Sequence, residues 1–253
     1  MIHYTATGNG EPIFLVHGFG EDSRIWEQQV NPLAAKYRVF LPDLPGAGKS
    51  AGKPGLSIES MADDLAEILD HEKIDKVVMA GHSMGGYVTL AFAEKYPLKL
   101  KAFSLIHSTA FADNEQKKDT RRKSIDIIRQ YGTKPFLESA IPNMFAVKNR
   151  TAMVKMIDKI IAENKHILPG SLISFYEAMM IRPDRTGILK NASIPVQFIV
   201  GKEDQAVPFS DSMQQIHLPD LSYIHILETS GHMGMIEEPD KTNTSLLEFL
   251  RKL

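Results

Sequence analysis

The chain has 253 residues, 43% hydrophobic and 24% charged, with a formal net charge of −2 and no cysteine. That size buries a core unaided, as one domain with a large insertion or as two domains. Disulfides, thiolate metal sites and cysteine nucleophiles are excluded, and the near-neutral charge argues against a nucleic-acid partner. No run approaches the roughly 18 apolar residues of a membrane span, and residues 1–10 lack a signal-peptide profile. A cytoplasmic protein with no membrane partner is expected.

Residues 2–5 alternate as a short strand does, and Gly8-Asn9-Gly10 predicts a hairpin-type turn. Residues 13–16 are continuously apolar, the pattern of a strand buried on both faces, and end at His17-Gly18-Phe19-Gly20. Asp22 or Ser23 can cap a helix carrying Ile25, Trp26, Val30 and Leu33 at helical spacing. A strand over 37–41 closes at Pro42-Asp43-Leu44-Pro45-Gly46. Ser57 then caps a helix with Glu59 in its first turn and Met61, Leu65, Ile68 and Leu69 on its apolar face. Residues 77–80 form a Val-rich strand that runs into Gly81-His82-Ser83-Met84-Gly85-Gly86 and a helix stopped at Pro97. Another strand covers 102–106. The alternation implies a mostly parallel sheet with right-handed crossovers.

From 109 to 187 no convincing strand occurs, only helical segments. The sheet resumes at 196–200 and 223–227, and a helix from about 240 to 253 closes the chain. The expected organisation is an α/β core of residues 1–108 and 188–253, interrupted by a helical cap at 109–187.

Strand, Gly-x-Ser-x-Gly turn and helix make an elbow with Ser83 at its apex, where Gly81 and Gly85 avoid clashes. Serine needs a base, and the base needs an orienting group. Two loops after later strands supply suitable residues: Gly201-Lys202-Glu203-Asp204 and Gly231-His232. Both lie where open α/β sheets bind ligands. Glu203 and Asp113 compete with Asp204 for the acid position. Gly46-Ala47-Gly48-Lys49-Ser50 ends like a phosphate loop, but Asp43 stands where that motif needs glycine and no helix follows. The basic run over 117–123 reads as a solvated helix face. No metal-ligand spacing occurs, so neither metal nor cofactor is expected.

Five pieces in this order resemble the α/β-hydrolase superfamily: His17-Gly18-Phe19-Gly20, the segment from Asp43 to Ser50, Gly81 to Gly86, Gly201-x-x-Asp204-x-x-x-Pro208, and Gly231-His232. The resemblance implies an α/β-hydrolase fold, flanked by helices, with one strand fewer than the usual eight. Ala47 departs from the larger or polar residue many members carry. Carried over, it makes Ser83 the nucleophile, His232 the general base and then acid, and Asp204 the residue that orients His232. The backbone N–H groups of Phe19 and Met84 would form the oxyanion hole. Serine at the elbow argues against epoxide hydrolases and haloalkane dehalogenases, which use aspartate there.

The same resemblance makes the insertion a cap over the nucleophile. Its methionines and aromatic residues, including Met144, Phe145, Tyr176 and Met179, favour a small or medium apolar acyl group over a polyanion. Arg182 and Arg185 are offered as a carboxylate site. The expected substrate is a small-molecule ester or lactone, cleaved in a carboxylesterase-like reaction through an acyl-enzyme. Ser83-Met84-Gly85-Gly86 is also similar to the enol-lactone hydrolases. A carbon–carbon bond hydrolase, a thioesterase or a ligand sensor with little turnover would keep the same triad.

Overall fold

Seven strands make one sheet in a computed structural model that describes residues 1–253. They are β1 (Tyr4–Thr7), β2 (Glu11–Val16), β3 (Tyr37–Pro42), β4 (Val77–His82), β5 (Leu100–Ile106), β6 (Val196–Gly201) and β7 (Ser222–Leu227), in spatial order β1-β3-β2-β4-β5-β6-β7. Every pairing is parallel except that of β1 with β3.

The expected hairpin at Gly8-Asn9-Gly10 is not made, because β1 pairs with β3, Tyr4 opposite Pro42, rather than with β2. The burial patterns explain the choice. Three of the four residues of β1 are exposed, which suits an edge, whereas the last four of β2 are buried and need a neighbour on each side. β4 is buried along its whole length, so the elbow grows out of the middle of the sheet.

Helices α1 (Glu27–Ala34), α2 (Ile58–Glu72) and α3 (Met84–Lys95) alternate with the early strands. Asp22 caps a short 3-10 turn ahead of α1, accepting from the Arg24 N–H. Ser57 caps α2 in a reciprocal box with Ser60. Between β5 and β6 the chain is helical: α4 (Glu115–Tyr131), α5 (Thr133–Ala140), α6 (Val154–Asn164), α7 (Pro169–Ile181) and α8 (Thr186–Lys190). α9 (Phe209–Met213) follows β6, and α10 (Gly234–Glu237) and α11 (Pro239–Leu250) end the chain. α2 packs on α3 and α1 on α11, as two separate groups flanking the sheet. Leu137, Leu172 and Phe175 from the helical stretch join the same continuous core as Phe14, Phe40 and Phe103 from the strands. No helix is long and apolar enough to cross a membrane.

Candidate active site

Ser83 stands between the last residue of β4 and the first of α3 with φ 50° and ψ −116°, a conformation L-residues adopt only under strain. The turn closes because its neighbours lack side chains. A Cβ on Gly81 would overlap the Gly85 carbonyl, and one on Gly85 would overlap the Val16 carbonyl oxygen. The Ser83 N–H donates to the Ile106 carbonyl at 2.9 Å, and Ser108 Oγ donates to the Ser83 carbonyl at 2.7 Å. The strain is therefore held from the neighbouring strand.

The loops after β6 and β7 bring Asp204 and His232 together, with His232 Nδ1 2.8 Å from Asp204 Oδ2. Both are buried. The other carboxylate oxygen of Asp204 accepts from the Ala206 and Val207 N–H groups, each at 2.9 Å. Burial works to raise the Asp204 pKa, but His232 and His107 outweigh it and hold it far below the usual carboxylate range. Burial likewise works to lower the His232 pKa, and the Asp204 charge outweighs it, leaving that pKa raised. With Nδ1–H donated to Asp204, Nε2 is the nitrogen free for chemistry. Glu237 holds this loop in place, accepting from the Gly231 N–H at 2.8 Å and from Ala146 in the helical stretch at 2.9 Å.

Ser83 and His232 line one cavity of about 530 Å³, a size suited to a small organic ligand. The Ser83 hydroxyl is not hydrogen-bonded to His232 here, and such contacts tighten when substrate binds. Met84 opens α3, so its N–H has no partner within the helix, and the Phe19 N–H has no backbone acceptor. The Phe19 ring stacks on Tyr176 with centroids 4.2 Å apart and meets Phe136 edge-on at 6.1 Å. Phe136, Leu137, Ile141 and Met144 continue the apolar wall.

Residues 11–131 match the family described as the alpha/beta hydrolase fold. A thermophilic esterase from Thermogutta terrifontis, solved with malate bound, superposes with a TM-score of 0.93 at 32% identity, covering 99% of this chain and 93% of that one. The chain belongs to the α/β-hydrolase family. The enol-lactonase of Burkholderia xenovorans LB400 shares the fold, with a TM-score of 0.91 at 22% identity over 99% of this chain and 95% of that one. Among curated relatives, a 2-hydroxy-6-oxononadienedioate/2-hydroxy-6-oxononatrienedioate hydrolase of Burkholderia vietnamiensis is 28% identical, with 99% of this chain and 91% of the relative covered. The dihydrolipoyllysine-residue acetyltransferase component of an acetoin cleaving system from Pseudomonas putida is also 28% identical over 96% of this chain, which spans only 64% of its length.

In this α/β-hydrolase chain the competing acids lie elsewhere. Glu203 is ion-paired with Lys148 near the surface, and Asp113 is buried between Arg121 at 2.5 Å and Arg182 at 2.9 Å. Neither arginine offered as a carboxylate site lines the cavity, which corrects that expectation. Arg182 is held by Asp113, by the Met179 and Phe111 carbonyls, and against the Tyr87 ring at 3.9 Å. Arg185 is held by Glu59 and Glu94. A second correction concerns the basic run: Arg122 pairs with Asp119 and Lys118 with Glu115 on the surface, but Lys117 and Arg121 line the cavity. The loop after β3 wraps the Asp43 carboxylate, which accepts from the Ser23 and Lys49 N–H groups, so its glycines hold no phosphate.

Three residues at the site carry no sequence signal of their role. Glu21 accepts from the Gly18 N–H at 3.0 Å and faces His82 Nδ1 at 3.0 Å. His82 Nε2 lies 2.9 Å from the His232 carbonyl oxygen. His107 adopts φ 47° and puts Nδ1 3.3 Å from Asp204 Oδ2, while burial pushes its pKa down to about 4. His107, Asp204 and His232 each bring a ligand-type atom within 4.8 Å of the others. The two nitrogen–oxygen contacts to Asp204 account for that closeness without an ion.

Proposed function

We propose that this chain hydrolyses carboxylic esters or lactones through a covalent acyl-enzyme, with Ser83 as nucleophile, His232 as general base and acid, and Asp204 as the group that orients His232. The observation that carries the reading is the 2.8 Å contact of His232 Nδ1 with Asp204, made where His232 and the strained Ser83 share one cavity. Ser83 Oγ attacks the carbonyl carbon as His232 Nε2 takes its proton. The tetrahedral oxyanion accepts from the Met84 and Phe19 N–H groups. Such a donor is worth roughly 3 kcal/mol in the transition state. His232 returns the proton to the leaving alkoxide, the alcohol departs, and water repeats the sequence to release the acid. The helical stretch over 109–187 acts as the cap that selects the substrate.

The esterase and the enol-lactonase among the similar structures support ester or lactone chemistry. Carbon–carbon bond hydrolysis by the same residues is the second reading, favoured by the dienedioate hydrolase relative. A panel of p-nitrophenyl esters of increasing chain length, run on wild type and Ser83→Ala, tests the first. Wild type should turn over the short and medium members, and the variant should lose on the order of 10⁶-fold in kcat. Equal rates would remove Ser83 from the mechanism.

A further inference from the structure

α4 turns a polar face inward. Lys117, Thr120, Arg121 and Ser124 recur at helical spacing, and all four line the cavity. Helices normally point an apolar stripe at the interior, and here Ile125 and Ile128 continue this same face into the core one to two turns further on, so only its N-terminal part, against the cavity, is polar. The cavity therefore has an apolar wall around Phe136 and Leu137 and a polar wall along α4.

The charges on the polar wall do not balance. Asp113 is one carboxylate facing two guanidinium groups, those of Arg121 and Arg182. Lys117 is matched by Asp211 at 3.4 Å, which leaves the arginine cluster with one excess positive charge. Arg182 places Nη1 on Asp113 and the Met179 carbonyl and Nη2 on the Phe111 carbonyl, is almost wholly buried, and does not line the cavity. Arg121 uses Nε and Nη2 on Asp113, leaving Nη1 without a protein acceptor. Its guanidinium stands 5.6 Å from the Tyr176 ring, the ring that stacks on Phe19. A partly buried cation with an unspent donor, beside the proposed oxyanion loop, is built to receive an anion.

We infer that the substrate is an amphipathic ester or lactone bearing a carboxylate, and that Arg121 binds this carboxylate through Nη1. The inference rests on the ester-hydrolase reading above and adds a carboxylate to the mainly apolar ester or lactone expected from the sequence. Asp113 fixes the guanidinium plane, so Arg121 is preorganised and gives up little freedom on binding.

Two matched ester pairs test it. Mono-p-nitrophenyl glutarate against p-nitrophenyl valerate places the carboxylate on the acyl side, and 4-acetoxybenzoate against phenyl acetate places it on the leaving side. In one pair the carboxylate member should have the higher kcat/KM in wild type. Arg121→Gln should cut that ratio at least about tenfold, through KM, as expected for one charge-assisted hydrogen bond. Arg121→Lys should restore part of it. Because a ratio is read, a general loss of folded enzyme cancels. The same ratio in wild type and Arg121→Gln for both pairs overturns the inference. Turnover of none of the four esters is instead the failure of the ester reading. Calorimetric titration with glutarate and 4-hydroxybenzoate then decides the anion site. Binding lost in Arg121→Gln supports it, and binding of neither anion, or equal binding in both proteins, overturns it.

Discussion

The Glu21 carboxylate lies 3.0 Å from one ring nitrogen of His82, and the other nitrogen lies 2.9 Å from the His232 carbonyl oxygen. The ring thus bridges an oxygen on each side. Burial works to raise the Glu21 pKa, but His82 and the Gly18 N–H outweigh it and leave it lowered. The pair thus ties together the loop that carries Phe19, the elbow, and the loop that carries His232. Glu21→Gln should lower kcat by about tenfold or more while KM changes little, as when an orienting partner behind a site is lost. It should also cost about 1–3 kcal/mol of stability, the usual result of leaving buried hydrogen-bonding groups without their partner. Steady-state kinetics and urea unfolding read the two effects, and an unchanged kcat would break the proposed link.

The two aspartates should separate cleanly. Asp204→Asn replaces the carboxylate behind His232 with an amide that neither fixes its tautomer nor stabilises its charged form, and should drop kcat by about 10⁴-fold. Asp113→Asn leaves Arg121 and Arg182 without a counter-charge. Its main effect should be a loss of about 3 kcal/mol in unfolding free energy, with far smaller change in kcat on neutral esters. The reverse pattern would move the acid to Asp113.

The pH profile follows from His232. A general base must be neutral, and its pKa is raised above 6.5, so kcat/KM should rise with pH along a limb centred above 6.5. A limb below 6.5 in wild type would contradict the Asp204–His232 coupling. Stability has the opposite origin. Asp204 has a depressed pKa, so its contribution is complete above the unfolded value of about 3.9 and is lost as pH falls below it towards the folded value. The urea midpoint should fall more steeply below that pH in wild type than in Asp204→Asn.

The elbow stores strain that can be measured. Ser83→Gly relieves the positive φ and should be about 1 kcal/mol more stable than Ser83→Ala, both variants being inactive. Gly85→Ala, in contrast, drives a Cβ into the Val16 and His17 carbonyls and should unfold at markedly lower temperature. Thermal melts of the three variants decide both points.

Much of this was legible in the amino-acid order, and the exceptions share a cause. Gly81 and Gly85 are recognisable because a close backbone approach leaves no room for a side chain, and Ser83 because it stands between them. The central strands are recognisable because burial on both faces leaves a continuous apolar run. Pairing partners are not local, so nothing in residues 4–7 says that β1 joins β3 rather than β2. The polar stripe of α4 has the same pattern whether it meets bulk water or a cavity, so Arg121 reads as surface until the fold places it. Glu21 looks like one more helix-start residue, and its link to His82 spans 61 positions.

The Arg185 N–H donates to the Ala110 carbonyl at 2.8 Å, so the helical stretch leaves and rejoins the sheet at a single backbone contact. Loop closure between those two residues would cost little for another segment with equally close ends. A replacement must also supply the Met144 carbonyl that accepts from the His232 N–H at 2.7 Å and the Ala146 N–H bound to Glu237. A library of chimeras cut at Ala110 and Arg185 would keep Ser83, Asp204 and His232 outside the exchanged segment. For protein engineering, that contact marks where another segment can be joined to this sheet with its ends already in register.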